Sequence, residues 1–340
     1  MEQLADILSA SLVELEAQNK ISTPLERLLV TSELVEPRYL HTAILTGRAD
    51  EAPYVFGEEK WANFLRARLF TQYYDGPCTP DFVCSVYGLL MGVPADEVIQ
   101  DTQFKDNWLG LGFSASRPIP ECITESQHAA VQANVHIEWL SVVAPHGVVD
   151  VAALEDIHPM APYVWQHRGW VVSANPADQG CINYLAKTKI KKTQALAAIC
   201  AQFNRDIAAG GDPEALSALL QKEIVSLHPA RDFNGTASRL VGNWSLERAG
   251  LGRGIPCLDE LLTSDQEHVA NMRAARLLYE QRRQKIEAGE LDPVVVFGLQ
   301  AESERFRRGD ITPPPWFTSG ETHDNAAFET FLRALGSSAI

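Results

Sequence analysis

At 340 residues, with 46% hydrophobic and 21% charged side chains, the chain has the make-up of an ordinary globular protein rather than a disordered or fibrous one. A formal net charge of −15 excludes a non-specific nucleic-acid binder, which needs a basic footprint. Six scattered cysteines without a Cys-x-x-Cys pair exclude a zinc ribbon or a disulfide framework and point to reduced thiols in a cytoplasmic compartment.

The acidic start Met1-Glu2-Gln3-Leu4-Ala5-Asp6 is unlike a secretory signal, and no stretch approaches the length of a membrane span. Delivery into another cell by a specialised secretion system would leave no such mark and stays open. Residues 2–18 carry Leu4, Ile7, Leu8, Leu12 and Leu15 at three- and four-residue steps, which predicts one amphipathic helix. Thr23-Pro24 supplies an N-cap and a proline at the first position of a second. Further helices are expected over 58–73, over Pro80 to Met91, and from Pro94-Ala95-Asp96. Gly110, Gly112, Pro118 and Pro120 make 105–121 a loop or boundary.

A helix is expected near Val151–Ile157, and then a β-hairpin. Its arms are Trp170-Val171-Val172 and Cys181-Ile182-Asn183-Tyr184, joined by a turn around Asn175-Pro176-Ala177-Asp178-Gln179-Gly180. Lys187, Lys189, Lys191 and Lys192 follow as a basic run, read as a solvated face. Asp212-Pro213 opens a helix whose Leu216, Leu219, Leu220, Ile224 and Leu227 bury one side, and His228-Pro229 ends it. The next helix starts near Gly235-Thr236 and stops at Gly250. A long polar helix covers Asp265–Ala288, capped by Ser264 and Gly289. Pro313-Pro314-Pro315-Trp316-Phe317 stiffens the tail, and a short helix is expected over Asn325–Leu335.

The chemistry concentrates in His228-Pro229-Ala230-Arg231-Asp232-Phe233-Asn234-Gly235-Thr236-Ala237-Ser238-Arg239. A histidine can take a proton near neutral pH. A carboxylate suits a hard divalent cation. Amides at a helix start, with an arginine one turn in, suit a phosphate. A plainer alternative has His-Pro as a helix stop, with Asp232 and Asn234 capping the next helix.

This stretch resembles the signature of the Fic family, His-Pro-Phe-x-Asp/Glu-Gly-Asn-Gly-Arg-x-x-Arg. His228, Pro229, Asp232, Asn234, Gly235 and Arg239 match it; Ala230, Phe233 and Thr236 depart from it. With its flanking helices, the resemblance covers about 145–287.

It implies a mainly α fold: a Fic-like helical bundle with a short β-hairpin flap and an additional N-terminal helical region. The division would be an N-terminal helical region at 1–110, a connecting segment at 111–147, a Fic-like core at 148–290, and a C-terminal extension at 291–340 packing on the core. It implies a transferase moving a nucleoside monophosphate, or a related phosphate-containing group, from a nucleotide to a hydroxyl of a protein or small molecule. ATP or a nucleotide-diphosphate conjugate would be the donor.

By the resemblance His228 is the general base, Asp232 the magnesium ligand, and Asn234 and Gly235 the floor of the anion hole. Arg239 holds the phosphate tail, and Phe233 and Thr236 also line the nucleotide site. Val171, Val172, Ile182 and Tyr184 would form the flap on which a protein target docks as an added strand. No nucleic-acid or membrane partner is implied.

The departures remove a charge at Thr236 and add a ring at Phe233, where glycine ordinarily lets the backbone approach. Either the donor's tail is unlike that of ATP, or nucleotide binding has decayed and a binding module remains. A non-transfer reaction on a small substrate in the same pocket is a further alternative. The nearest match to the family's inhibitory helix is Ser32-Glu33-Leu34-Val35-Glu36, followed by Pro37, which would make Glu36 the inhibitory residue.

Overall fold

The computed structural model describes residues 2–35, 37–99, 192–230, 232–256 and 263–310, with five strands between the second and third of these blocks. Glu36, the expected helices at 151–157 and 325–335, Lys187, Lys189, Lys191 and the Pro313–Phe317 run lie outside the described residues. The protein is mainly helical.

The N-terminal half holds α1 (Glu2–Ser9), α2 (Leu12–Gln18), α3 (Pro24–Thr31), α4 (Pro37–Leu45), α5 (Glu58–Tyr73) and α6 (Pro80–Met91). Short 3₁₀ turns occupy Ala49–Tyr54 and Ala95–Glu97, the latter where a longer helix was expected. The single helix expected over 2–18 is broken, because the Ser11 side chain and Glu14 form a reciprocal capping box that starts α2 afresh. Thr23 and Glu26 do the same for α3, with Pro24 at its first turn.

The C-terminal half holds α7 (Lys192–Ala208), α8 (Pro213–Leu227), α9 (Asn234–Arg248), α10 (Asp265–Glu287), α11 (Pro293–Phe297) and α12 (Gln300–Arg307). One hydrophobic core runs through both halves, taking in Leu15, Trp61, Phe64 and Tyr87 with Leu196, Leu220, Ile224, Leu240 and Trp244. Residues 1–99 are therefore not an appendage: Trp61 and Tyr87 are fully buried in that shared interior. Burying such side chains contributes about 2–3 kcal/mol each. Among the described residues no helix is long and apolar enough to cross a membrane.

The strands are β1 (Trp108–Gly112), β2 (Ile137–Val142), β3 (Val164–His167), β4 (Trp170–Ser173) and β5 (Cys181–Ala186), in sheet order β1-β5-β2-β4-β3. Two expectations are corrected here. Residues 108–112 pair with β5 instead of forming a loop, their two glycines being accommodated in the ladder. The arms of the expected hairpin are strands, but they do not pair with each other.

β2 lies between them, antiparallel to β5 and parallel to β4. The apolar Ile137–Val142 run supplies the strand that fills the gap. Val171 and Val172 thus lie in a strand flanked by β2 and β3, and Ile182 and Tyr184 in one flanked by β1 and β2. With ladders on both sides, neither strand is the sheet edge that strand addition by a target requires.

Candidate active site on the loop between α8 and α9

Asp212 caps α8, its carboxylate accepting the amide of Glu214, and Pro213 occupies the first turn. Leu220, Ile224 and Leu227 are buried as the periodicity predicts, while Leu216 and Leu219 are only half-buried. α8 and α9 lie close together. A Cβ on Gly242 would stand 3.0 Å from Cβ of Gln221, and the Ser217 hydroxyl donates to that of Ser245 at 2.7 Å.

α8 stops where His228 turns left-handed, at φ 50°, and Pro229 forbids another helical turn. α9 starts from Phe233, also left-handed at φ 58° and offering no side-chain cap. Only three non-glycine residues have positive φ among the described residues, and two of them bracket this loop. Such backbone costs about 1 kcal/mol or more per residue and persists only where its surroundings impose it.

Asn234 imposes it. The buried amide donates to the Ala230 carbonyl at 2.7 Å and accepts from the Ala230 amide at 3.2 Å and the Tyr87 hydroxyl at 3.0 Å. Its side chain therefore shapes the loop rather than lining a ligand site, and only its backbone is left for the anion hole that the motif implies. Asn234→Ala leaves the Ala230 amide and carbonyl unsatisfied, so a loss of about 2 kcal/mol is expected in urea unfolding.

His228 is half-buried. Burial, and then the charge of Lys192, pull its imidazole down toward about 3, while a hydrogen bond with the Val225 backbone works against them. The ring's remaining solvent contact moderates the shift and leaves its direction intact. The imidazole is neutral at pH 7, the form that can accept a proton. Lys192 also fixes the turn, its Nζ donating to the His228 carbonyl at 2.7 Å.

Asp232 is exposed, and one carboxylate oxygen accepts the Phe233 amide at 2.7 Å. Among the described residues no cluster of three His, Cys, Asp or Glu could hold a metal ion. A lone solvent-facing carboxylate still fits magnesium, which commonly takes one or two carboxylates and completes its shell with substrate phosphates and water.

Arg239 and Thr236 are buried and face the segment after α3. The Arg239 Nε donates to the Glu33 carbonyl at 3.2 Å and its Nη2 to the Leu34 carbonyl at 3.4 Å. Thr236 Oγ1 donates to the same Leu34 carbonyl at 3.3 Å. The guanidinium lies over the first turn of α9, since a Cβ on Gly235 would meet its Nη1 at 3.4 Å. Arg239 is thus placed at the helix start, with hydrogen bonds running to main-chain carbonyls.

What holds that segment down was not read from the sequence. The fully buried Glu33 carboxylate accepts from Arg68 Nε at 3.2 Å, from Tyr279 Oη at 2.9 Å and from Arg253 Nη1 at 2.5 Å. Arg253 is shared with Glu247, and Arg68 with Asn19. The sequence signal was the Ser32–Glu36 run itself, which drew attention to Glu36 instead.

No family model matches the chain, and neither does any curated protein. Among solved structures the chain is similar to a Fic domain containing signaling protein from Bacteroides thetaiotaomicron VPI-5482. The identity is 12% and the TM-score 0.35, with 98% of this chain and 91% of that one covered.

Two further groups reach the loop. The Phe233 ring meets Phe56 edge-on at 6.4 Å, and the Lys60 ammonium stands 5.0 Å from its centroid. A cavity of about 630 Å³, lined by Cys78, Phe203, Trp244 and Arg248 among others, lies at the opposite end of α9 and includes none of the motif residues.

Proposed function

We propose that the chain is a Fic-like transferase that moves a phosphate-containing group from a nucleotide to a hydroxyl. The observation that carries this reading is the backbone of Phe233. The motif places a glycine there, and the chain holds a phenylalanine in the left-handed conformation that glycine adopts without strain. A side chain held in that pose at a cost supports reading the loop backbone as constrained for a purpose, although the residue is no longer glycine.

In this reading the neutral His228 accepts the proton of the attacking hydroxyl, whose oxygen bonds to phosphorus as the bond to the leaving phosphate breaks. Amides in the first turn of α9 and the Arg239 guanidinium face the charge that develops on the phosphoryl oxygens. Asp232 would hold magnesium, and the ion would supply positive charge against the donor's phosphates. The negative charge of a bound donor raises the His228 pKa toward the useful range, offsetting burial and Lys192.

A panel of labelled nucleotides and nucleotide-diphosphate conjugates, offered to the purified chain with magnesium, tests this. Label transfer should fall by at least about 100-fold in His228→Ala while thermal unfolding is preserved. If nothing is labelled and no nucleotide binds, the reading fails.

A second reading is an interaction module with a degenerate site, favoured by the carbonyl oxygens of residues 33 and 34 on Arg239. Partner binding that survives joint replacement of His228 and Asp232 by alanine would select it.

A further inference from the structure

We propose that Lys60, in the first turn of α5, holds the terminal phosphates of the nucleotide donor, making the chain selective for donors with a di- or triphosphate tail. This rests on the transferase reading above.

The chain's own charge distribution leads there. Thr236 leaves the first turn of α9 without a basic side chain, and Arg239 is the one cation of that helix's opening turns. A polyphosphate tail spreads several negative charges along a length that one guanidinium does not cover. Among the described residues, a second cation must come from another element.

Lys60 is placed for it. Its ammonium is 5.0 Å from the ring of Phe233, the residue immediately before α9. It forms no salt bridge among the described residues, whereas Arg68, Lys222, Arg253 and Arg273 are each paired with a carboxylate. Phe56, 54% exposed, flanks the same ring edge-on, so Phe233 sits in a frame built by the N-terminal half.

That frame explains why a ring is tolerated in a left-handed position: Phe233 couples the loop to the helix that carries the missing charge. A lysine also suits the role chemically, being a flexible point charge that can follow a phosphate. The carboxylates next in sequence to Lys60 and to Phe233, namely Glu58, Glu59 and Asp232, are exposed and compete only weakly through solvent.

Titration calorimetry of the full chain with ATP, ADP and AMP, each with magnesium, tests the assignment. The wild-type chain should bind ATP and ADP about tenfold more tightly than AMP, a preference that shrinks as salt rises. Lys60→Gln should abolish the preference while leaving AMP affinity within about twofold, and Lys60→Arg should keep it. Lys60→Gln that retains the preference, or that weakens all three ligands alike, overturns the inference and leaves the transferase reading standing. A wild-type chain that binds none of the three overturns both.

Discussion

Glu33→Gln is expected to lower the unfolding free energy by about 3–5 kcal/mol, the usual result of removing one partner from a buried ion network. The carboxylate is wholly enclosed and answers two guanidiniums and a phenol contributed by α5, by the loop after α9 and by α10. The two positive charges hold its pKa below the usual carboxylate value against the opposing pull of burial. An amide of the same shape keeps the volume and loses the charge, so Arg68 and Arg253 are left facing each other across a low-dielectric interior. Arg253 retains Glu247 and Arg68 retains Asn19, which keeps the loss below that of an isolated buried cation.

Urea unfolding gives the magnitude, and phosphate or nucleotide binding gives the functional half. Glu33 and Leu34 present their carbonyls to Arg239, so loosening this segment should free the guanidinium and tighten anion binding. Replacing Glu33 by Met together with Arg68 by Leu should recover part of the lost stability, because one of the two stranded guanidiniums becomes apolar volume while Arg253 keeps Glu247. A Glu33→Gln protein as stable as wild type, with unchanged anion affinity, would show that the network neither supports the fold nor holds Arg239.

That network marks the boundary of what the chain discloses in one dimension. Helix limits were legible where local chemistry sets them: Thr23-Pro24 before α3, Asp212-Pro213 before α8, and Ser264 before α10. The break at Ser11 was missed although Glu14 stands three residues on, because an unbroken leucine pattern masked a local cap. The structure puts the Arg239 guanidinium over the first turn of α9, but its partners there, the Glu33 and Leu34 carbonyls, were not readable from the motif.

Non-local matters were not legible. Glu33 meets Arg253 and Tyr279 across more than two hundred positions, and Lys60 reaches Phe233 from another helix. Nothing in either local sequence distinguishes these side chains from solvated ones. The strand order failed for a related reason: adjacency along the chain suggested a hairpin, and the sheet places β2, from about thirty residues earlier, between its two arms.

Acid should destabilise the chain well before its carboxylates titrate. His41 is 4% exposed, and among the described residues both of its ring nitrogens lack a hydrogen-bond partner. Burial, then the nearby Arg282, push its pKa down to about 3. His268 is buried with its Nε2 2.8 Å from the Gln221 Oε1, and burial followed by the Lys222 charge pushes it down to about 4. Both pKa values are depressed in the folded state, so the unfolded chain binds more protons below about 6.5.

Stability is therefore full above that pH and declines as pH falls toward 4 and then 3. Each unit of that descent is worth about 1.4 kcal/mol per group, so these two histidines predict a loss of about 3–4 kcal/mol between pH 7 and 5. His228 adds to the same slope, and Glu33 extends it below 4.5. Urea midpoints at pH 7, 6 and 5 measure the decline. His41→Leu isolates one contributor: it removes two unsatisfied nitrogens and a group that must charge on unfolding, so the slope should fall by about 1 kcal/mol per pH unit. An unchanged slope in that variant would mean that acid reaches His41 without unfolding the helices around it.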